Sequence, residues 1–227
     1  MEELESKGSA SPRVPLRSSN SGNDFPANLA QPRWLWAAVA FYAALSLISV
    51  GWVAVRGGAL FFVAAGPGGA TPASLVGDSL LGIMLGACFV VCSQQFSMRT
   101  RSGRRTAQLL AEALGPLSVR ACLLLALASA MGEELFFRGL LQPRIGLTAA
   151  SLLFGLAHLA PRRELALWTI SSVLAGFALG SLFEHTGNLL APFAAHFTII
   201  AINLRWLVVR HAGGDPRRFP DSPAGVR

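Results

Sequence analysis

Five ionisable side chains in this sequence sit where ionisable side chains are costly. The run VRACLLLALASAMGEELFFRGLLQPRIG holds Glu133, Glu134 and Arg138 among apolar residues; TAASLLFGLAHLAPRR holds His158; NLLAPFAAHFTIIAINLRWLVV holds His196. A charge inside hydrocarbon costs at least about 2.5 kcal/mol, so three neighbouring ones must be paired, hydrated or protonated. On a helix Glu134 and Arg138 are four positions apart and face each other, with the acid on the favourable N-terminal side, so that pair neutralises itself. Glu133 points about 100° away from Glu134 and is left for another helix or for a water. A carboxylate and a neutral imidazole together bind and deprotonate a water, which then attacks a carbonyl carbon. A second imidazole either donates a hydrogen bond to the developing oxyanion or completes a metal site. Glu133, His158 and His196 are therefore the candidate catalytic residues, and the same three are the candidate ligands if one divalent ion such as zinc is held; a site without metal fits the residues equally. The chain has no HExxH pair on one helix, so a metal would have to be gathered from several. Asn203, seven positions after His196 on the same helix face, either lines the pocket or ties helices together. A buried ion cluster without chemistry accounts for Glu134 and Arg138 but poorly for Glu133, and a lone intramembrane histidine often makes only an interhelical hydrogen bond.

The elements that carry these residues are helices in lipid. Of 227 residues 52% are hydrophobic and 14% charged, with a mean hydropathy of +0.50; a soluble domain has about 25% charged residues. From Trp34 to Val55 there is no charged side chain, a helix long enough for the roughly 30 Å hydrocarbon layer. The expected fold is all-α, a polytopic transmembrane bundle of about six spans (34–56, 76–95, 118–142, 147–160, 166–184 and 189–209), with the catalytic-type core in the last four. Segment 147–160 is short for a full crossing, so it is tilted, re-entrant or longer than drawn. Residues 106–117 read as an interfacial amphipathic helix. Gly82 with Gly86, and Gly176 with Gly180, have the small-xxx-small spacing that lets helices approach closely. The transmembrane domain spans 33–210. Residues 1–32, rich in Ser, Gly, Asn and Pro, read as a disordered cytoplasmic tail, and 211–227 as a flexible C-terminal tail.

The formal net charge of +7 does not mark a nucleic-acid binder, because the basic residues flank apolar runs and form no folded footprint. Arg99, Arg101, Arg104 and Arg105 lie between two spans, as lipid and insertion rules select. Placing that loop inside puts both termini in the cytoplasm, and the expected location is a bacterial inner membrane with lipid as the partner of the arginines. Trp34, Trp168 and Trp206 near span ends read as interfacial anchors, His185 as an exposed loop residue, and Glu164 beside Arg162 and Arg163 as a solvated loop. Cys88, Cys92 and Cys122 are too few to complete a thiolate metal site and read as small apolar residues. Oligomeric state leaves no signal.

In chain order, Glu133-Glu134-x-x-x-Arg138, Phe154-x-x-x-His158 and His196 in a late helix resemble the CAAX prenyl endopeptidase and bacteriocin-processing family, the CPBP or Abi group of intramembrane proteases. The resemblance covers about residues 118–208. It implies an intramembrane endopeptidase whose polar cavity opens toward the membrane surface and whose substrate is a membrane-associated or lipidated protein or peptide. It implies further that Glu133 activates the water with help from His158, that His196 stabilises the oxyanion, and that Glu134 and Arg138 hold the site together. Members are described both as metal-dependent and as using a metal-free glutamate. Four residues after the late histidine the family usually has Asn, sometimes Asp, and this chain has Ile200, which donates no hydrogen bond; losing one such donor can cost about 3 kcal/mol. Ile200 favours a second reading, a catalytically silent membrane scaffold or immunity-type binding protein of the same fold. A third, a small proton-coupled transporter, draws on buried Glu and His as relays but lacks an inverted repeat.

Overall fold

A computed structural model describes residues 32–57 and 71–212. The tail expectations thus fall almost entirely outside the described residues, as does most of the loop containing GPGGATP. The elements are α1 (Arg33–Arg56), α2 (Pro72–Arg99), α3 (Arg101–Leu114), α4 (Val119–Glu133), a π-helix (Glu134–Leu141), α5 (Gln142–Ala157), a 3-10 turn (Arg163–Leu165), α6 (Ala166–Thr186) and α7 (Leu190–Ala212). Local sequence sets their starts. Thr71 and Ser74 form a reciprocal capping box ahead of Pro72, and Ser118 caps α4 by accepting from the Ala121 amide.

Among the described residues four helices are long and apolar enough to cross a membrane, Arg33–Arg56, Pro72–Arg99, Arg163–Thr186 and Leu190–Arg210; a fifth candidate is α3 with the stretch Val119–Ala157, bent by 103°. The expectation of about six spans is corrected to four or five. The reason lies at Gly146, whose φ of 80° and ψ of 166° form a conformation open to glycine and to few other residues. The chain turns there, and residues 147–157 extend about 16 Å, too short to cross. Segments 118–142 and 147–160 are two arms of one broken element.

Small residues set the close crossings. A Cβ on Gly82 would lie 2.1 Å from the Ala191 carbonyl oxygen and one on Gly86 would lie 2.6 Å from that of Ala195, so α2 and α7 meet backbone to backbone. A Cβ on Gly176 would lie 2.9 Å from the Ser151 carbonyl oxygen where α6 crosses α5. Leu35, Leu117, Ala121, Cys122, Leu125, Leu204 and Val208 form an apolar cluster joining α1, α4 and α7. Phe41, Leu47, Val55, Met84, Leu152 and Leu174 point outward, as lipid-facing side chains do when the solvent is hydrocarbon.

Candidate active site

The end of α4 and the π-helix that continues it place two carboxylates and a guanidinium in the protein interior: Glu133, Glu134 and Arg138 are 5%, 1% and 1% exposed. π-turns are rare and recur at functional sites. Here the junction falls between Glu133, the last residue of α4, and Glu134, the first of the π-helix. The two adjacent acids consequently serve different neighbours.

Glu134 is compensated from two sides. Its Oε1 accepts from Arg138 Nη1 at 3.0 Å and lies 2.6 Å from His196 Nδ1 on α7. Arg138 donates from Nη2 to the Gly176 carbonyl at 3.1 Å, and its guanidinium stacks 4.5 Å from the centre of the Phe154 ring. A buried ion pair persists when hydrogen bonds satisfy its remaining atoms, and Arg138 ties α6 to the π-helix in the process. Because a carboxylate only accepts, His196 donates to it from Nδ1, which leaves Nε2 for another partner.

Glu133 faces the other way. Its Oε2 is 3.7 Å from His158 Nε2 and has no hydrogen-bond partner. That separation exceeds a direct hydrogen bond. Tyr42 of α1 packs against the residue before Glu133, its carbonyl oxygen 2.6 Å from where a Cβ on Gly132 would lie. His158 caps the C-terminus of α5, and its Nδ1 lies 2.8 Å from the Phe154 carbonyl oxygen. A carbonyl accepts only, so Nδ1 carries the proton and Nε2 of neutral His158 presents a lone pair toward Glu133. Trp168 packs edge-on against the His158 ring at 5.5 Å, and Thr169 donates to the His158 carbonyl at 3.0 Å.

Phe154 stands at the centre, with ring centroids 4.7 Å from His158 and 5.8 Å from His196. The two candidate histidines thus flank one ring, and with the two acids they form two carboxylate–imidazole pairs, Glu133 with His158 and Glu134 with His196. Among the described residues no group of three or more His, Cys, Asp or Glu side chains is placed to hold a metal ion. The site reaches the surface at His158, whose side chain is 19% exposed against 6% for that of Glu133. Beyond it, Thr106 of α3 donates to the Glu164 carbonyl at 2.7 Å and so pins the exposed 159–165 connection to the amphipathic helix.

Asn203 lies on α7 away from this cluster. It accepts from Gln94 and donates to Ser93, both at 3.3 Å, and so ties α7 to α2. Ile200 packs against the apolar cluster that includes Leu35 and Leu117. Trp168, expected as an interfacial anchor, packs edge-on against the His158 imidazole and so walls one side of the site. His185, Cys88 and Cys92 are exposed and Cys122 is buried in the apolar cluster. Sequence reasoning missed Tyr42. The signal was available: it is the chain's one tyrosine, set in an apolar helix where a phenol hydroxyl needs a partner.

Residues 115–202 match the family model described as type II CAAX prenyl endopeptidase Rce1-like. The matched stretch is similar to an Rce1-like domain. It begins just before α4 and ends within α7, and so contains Glu133, Glu134, Arg138, His158 and His196 but neither Tyr42 nor Asn203. The chain is also similar to the uncharacterized protein YpbD of Bacillus subtilis (strain 168), 41% identical over 87 residues, a match covering 37% of this chain and 44% of that protein. The chain therefore spans less than half the length of this relative. No solved structure matches.

Proposed function

We propose that the chain is an intramembrane endopeptidase of the CPBP type, hydrolysing a peptide bond of a membrane-associated or lipidated protein or peptide. The observation that carries this reading is the pair Glu133 and His158, in which an unbonded carboxylate oxygen faces an imidazole lone pair at 3.7 Å. Two acceptors at that spacing have no use for each other and have a use for a shared water, which donates one proton to each. Glu133 takes the proton as the water attacks the scissile carbonyl, and His158 orients the nucleophile. His196, held through Nδ1 by Glu134, carries a second proton on Nε2 when it donates to the oxyanion; the neighbouring carboxylate makes that cationic form tolerable in a buried place. Glu133 then returns the proton to the leaving amine. A divalent ion, were one held by Glu133, His158 and His196, would polarise the carbonyl and the water, but the side chains would first have to regroup. The protein is proposed to work in a bacterial inner membrane with both termini in the cytoplasm.

Ile200 supports the second reading, a catalytically silent scaffold or binding protein with the same fold, because the apolar side chain offers no second donor beside His196. Comparing new protein N-termini in membranes of cells carrying the wild-type chain and Glu133→Gln separates the two. Termini that require Glu133 support the protease; identical sets from both strains sink it.

A further inference from the structure

Two arginines share one indole at the end of the bundle away from the loop that holds Arg99 to Arg105. Arg56 closes α1, with its guanidinium 5.2 Å from the centre of the Trp52 ring, and Arg144, near the start of α5, stands 5.6 Å from the same centre. Distant parts of the chain bring them together. Trp52 and Arg56 are one helical turn apart, and Val53 packs against the cluster of Leu135, Phe183 and Leu189, which seats the end of α1 beside the π-helix. Arg144 is held from behind, where it donates to the Leu140 carbonyl.

Two like charges on one ring repel each other, and the described protein offers them no acid. Neither Arg56 nor Arg144 has a carboxylate partner among the described residues. The acids Asp78 and Glu184, at the same end, are engaged elsewhere: Asp78 accepts from Asn188 at 2.7 Å and Glu184 from Gln142 at 3.1 Å. Residues 58–70, which follow α1, contain no ionisable side chain. The last carbonyls of α1 offset part of the Arg56 charge but leave its side-chain donors unused. Both guanidiniums are exposed, so the missing anion comes from outside the chain. Ile48 and Val55, 54% and 84% exposed, lie on the same face of α1 as Trp52 and Arg56, so the partner is apolar on one side and anionic at its tip.

We infer that Arg56, Trp52 and Arg144 form a clasp for the phosphate of an anionic phospholipid, whose acyl chains lie along Ile48 and Val55. A guanidinium fork matches two phosphate oxygens, and two such forks on one indole match a headgroup of net negative charge better than a zwitterion. On the orientation proposed above this end faces away from the cytoplasm, the side where flanking arginines are scarce, so the lipid belongs to the outer leaflet. The clasp does not depend on the hydrolytic reading.

The test uses full-length protein in detergent, titrated with phosphatidylglycerol, phosphatidylcholine or inorganic phosphate, with bound lipid counted by native mass spectrometry. The tightest phosphatidylglycerol is expected to resist displacement by inorganic phosphate and to bind more tightly than phosphatidylcholine. Arg56→Gln and Arg144→Gln are each expected to weaken it by about tenfold, whereas Arg99→Gln, at the other end, leaves it unchanged. Unaltered affinity in both variants, equal affinity for phosphatidylcholine, or ready displacement by phosphate overturns the inference. A second measurement needs no variant: phosphatidylglycerol with a photoreactive headgroup, in nanodiscs holding the wild-type chain, is expected to label peptides containing Trp52 or Arg144. Labelling confined to peptides around 99–105 and 205–210 also overturns it.

Discussion

Glu134 Oε1 lies 2.6 Å from His196 Nδ1, so the orientation of an imidazole on α7 is set by a carboxylate on the π-helix. The adjacent Glu133 is turned toward His158 at the end of α5 instead. A single residue step along the chain thus separates a group that builds the site from a group free to react.

His196→Ala removes the proposed oxyanion donor without removing the Glu134–Arg138 pair. Loss of such a donor costs about 10²–10³ in kcat. A steady-state assay on reconstituted protein should register that drop, with KM little changed and the thermal unfolding midpoint within a few degrees of wild type.

Arg138→Ala and Glu133→Ala should part company. The first strands the buried Glu134 carboxylate and severs the link to the Gly176 carbonyl, a change worth about 3–5 kcal/mol when one partner of a buried pair is lost. The second removes an acid with no ion-pair partner in its own helix. Quantifying folded, monodisperse protein after extraction should therefore show a large loss for Arg138→Ala and a small one for Glu133→Ala, although only Glu133→Ala abolishes cleavage at normal protein levels. Equal loss of fold in both would contradict the division of roles.

Ile200→Asn should trade stability for rate. It places an amide donor one turn after His196 and takes an apolar side chain out of the cluster with Leu35 and Leu117. The expected outcome is a kcat raised about tenfold or more, together with a lowered unfolding midpoint. Asn203→Ala should do the reverse of neither: it loses bonds to Gln94 and Ser93, costs about 1 kcal/mol of stability and leaves kcat unchanged.

Much of this was legible in the sequence because hydrocarbon makes polar residues conspicuous. Glu133, Glu134, Arg138, His158 and His196 stood out by type alone, and the Glu134–Arg138 pair by spacing, since the four-residue step survives into the π-helix. Asn203 had two readings, and the choice between them depended on Gln94 and Ser93, which share no local pattern with it. The span count failed because the arms on either side of Gly146 were counted as two crossings, and whether they cross separately is set by a backbone turn and not by hydropathy. Trp168 reads as an interfacial anchor by position along its helix, but whether an indole meets lipid or an imidazole is decided by where α5 ends.

Pairing of each carboxylate with one imidazole predicts that Glu133-dependent cleavage survives exhaustive treatment with a divalent-ion chelator. Cleavage lost on chelation and restored by zinc would mean that Glu133, His158 and His196 regroup around an ion in the working enzyme.

The most direct test of hydrolysis by a glutamate-activated water is to incubate reconstituted wild-type and Glu133→Gln protein with solubilised membrane proteins in water enriched in 18O, and to read new peptide termini by mass spectrometry. The predicted result is a set of new C-terminal carboxylates bearing 18O with the wild-type chain and their absence with Glu133→Gln. The same termini in both samples, or none in either, would contradict it.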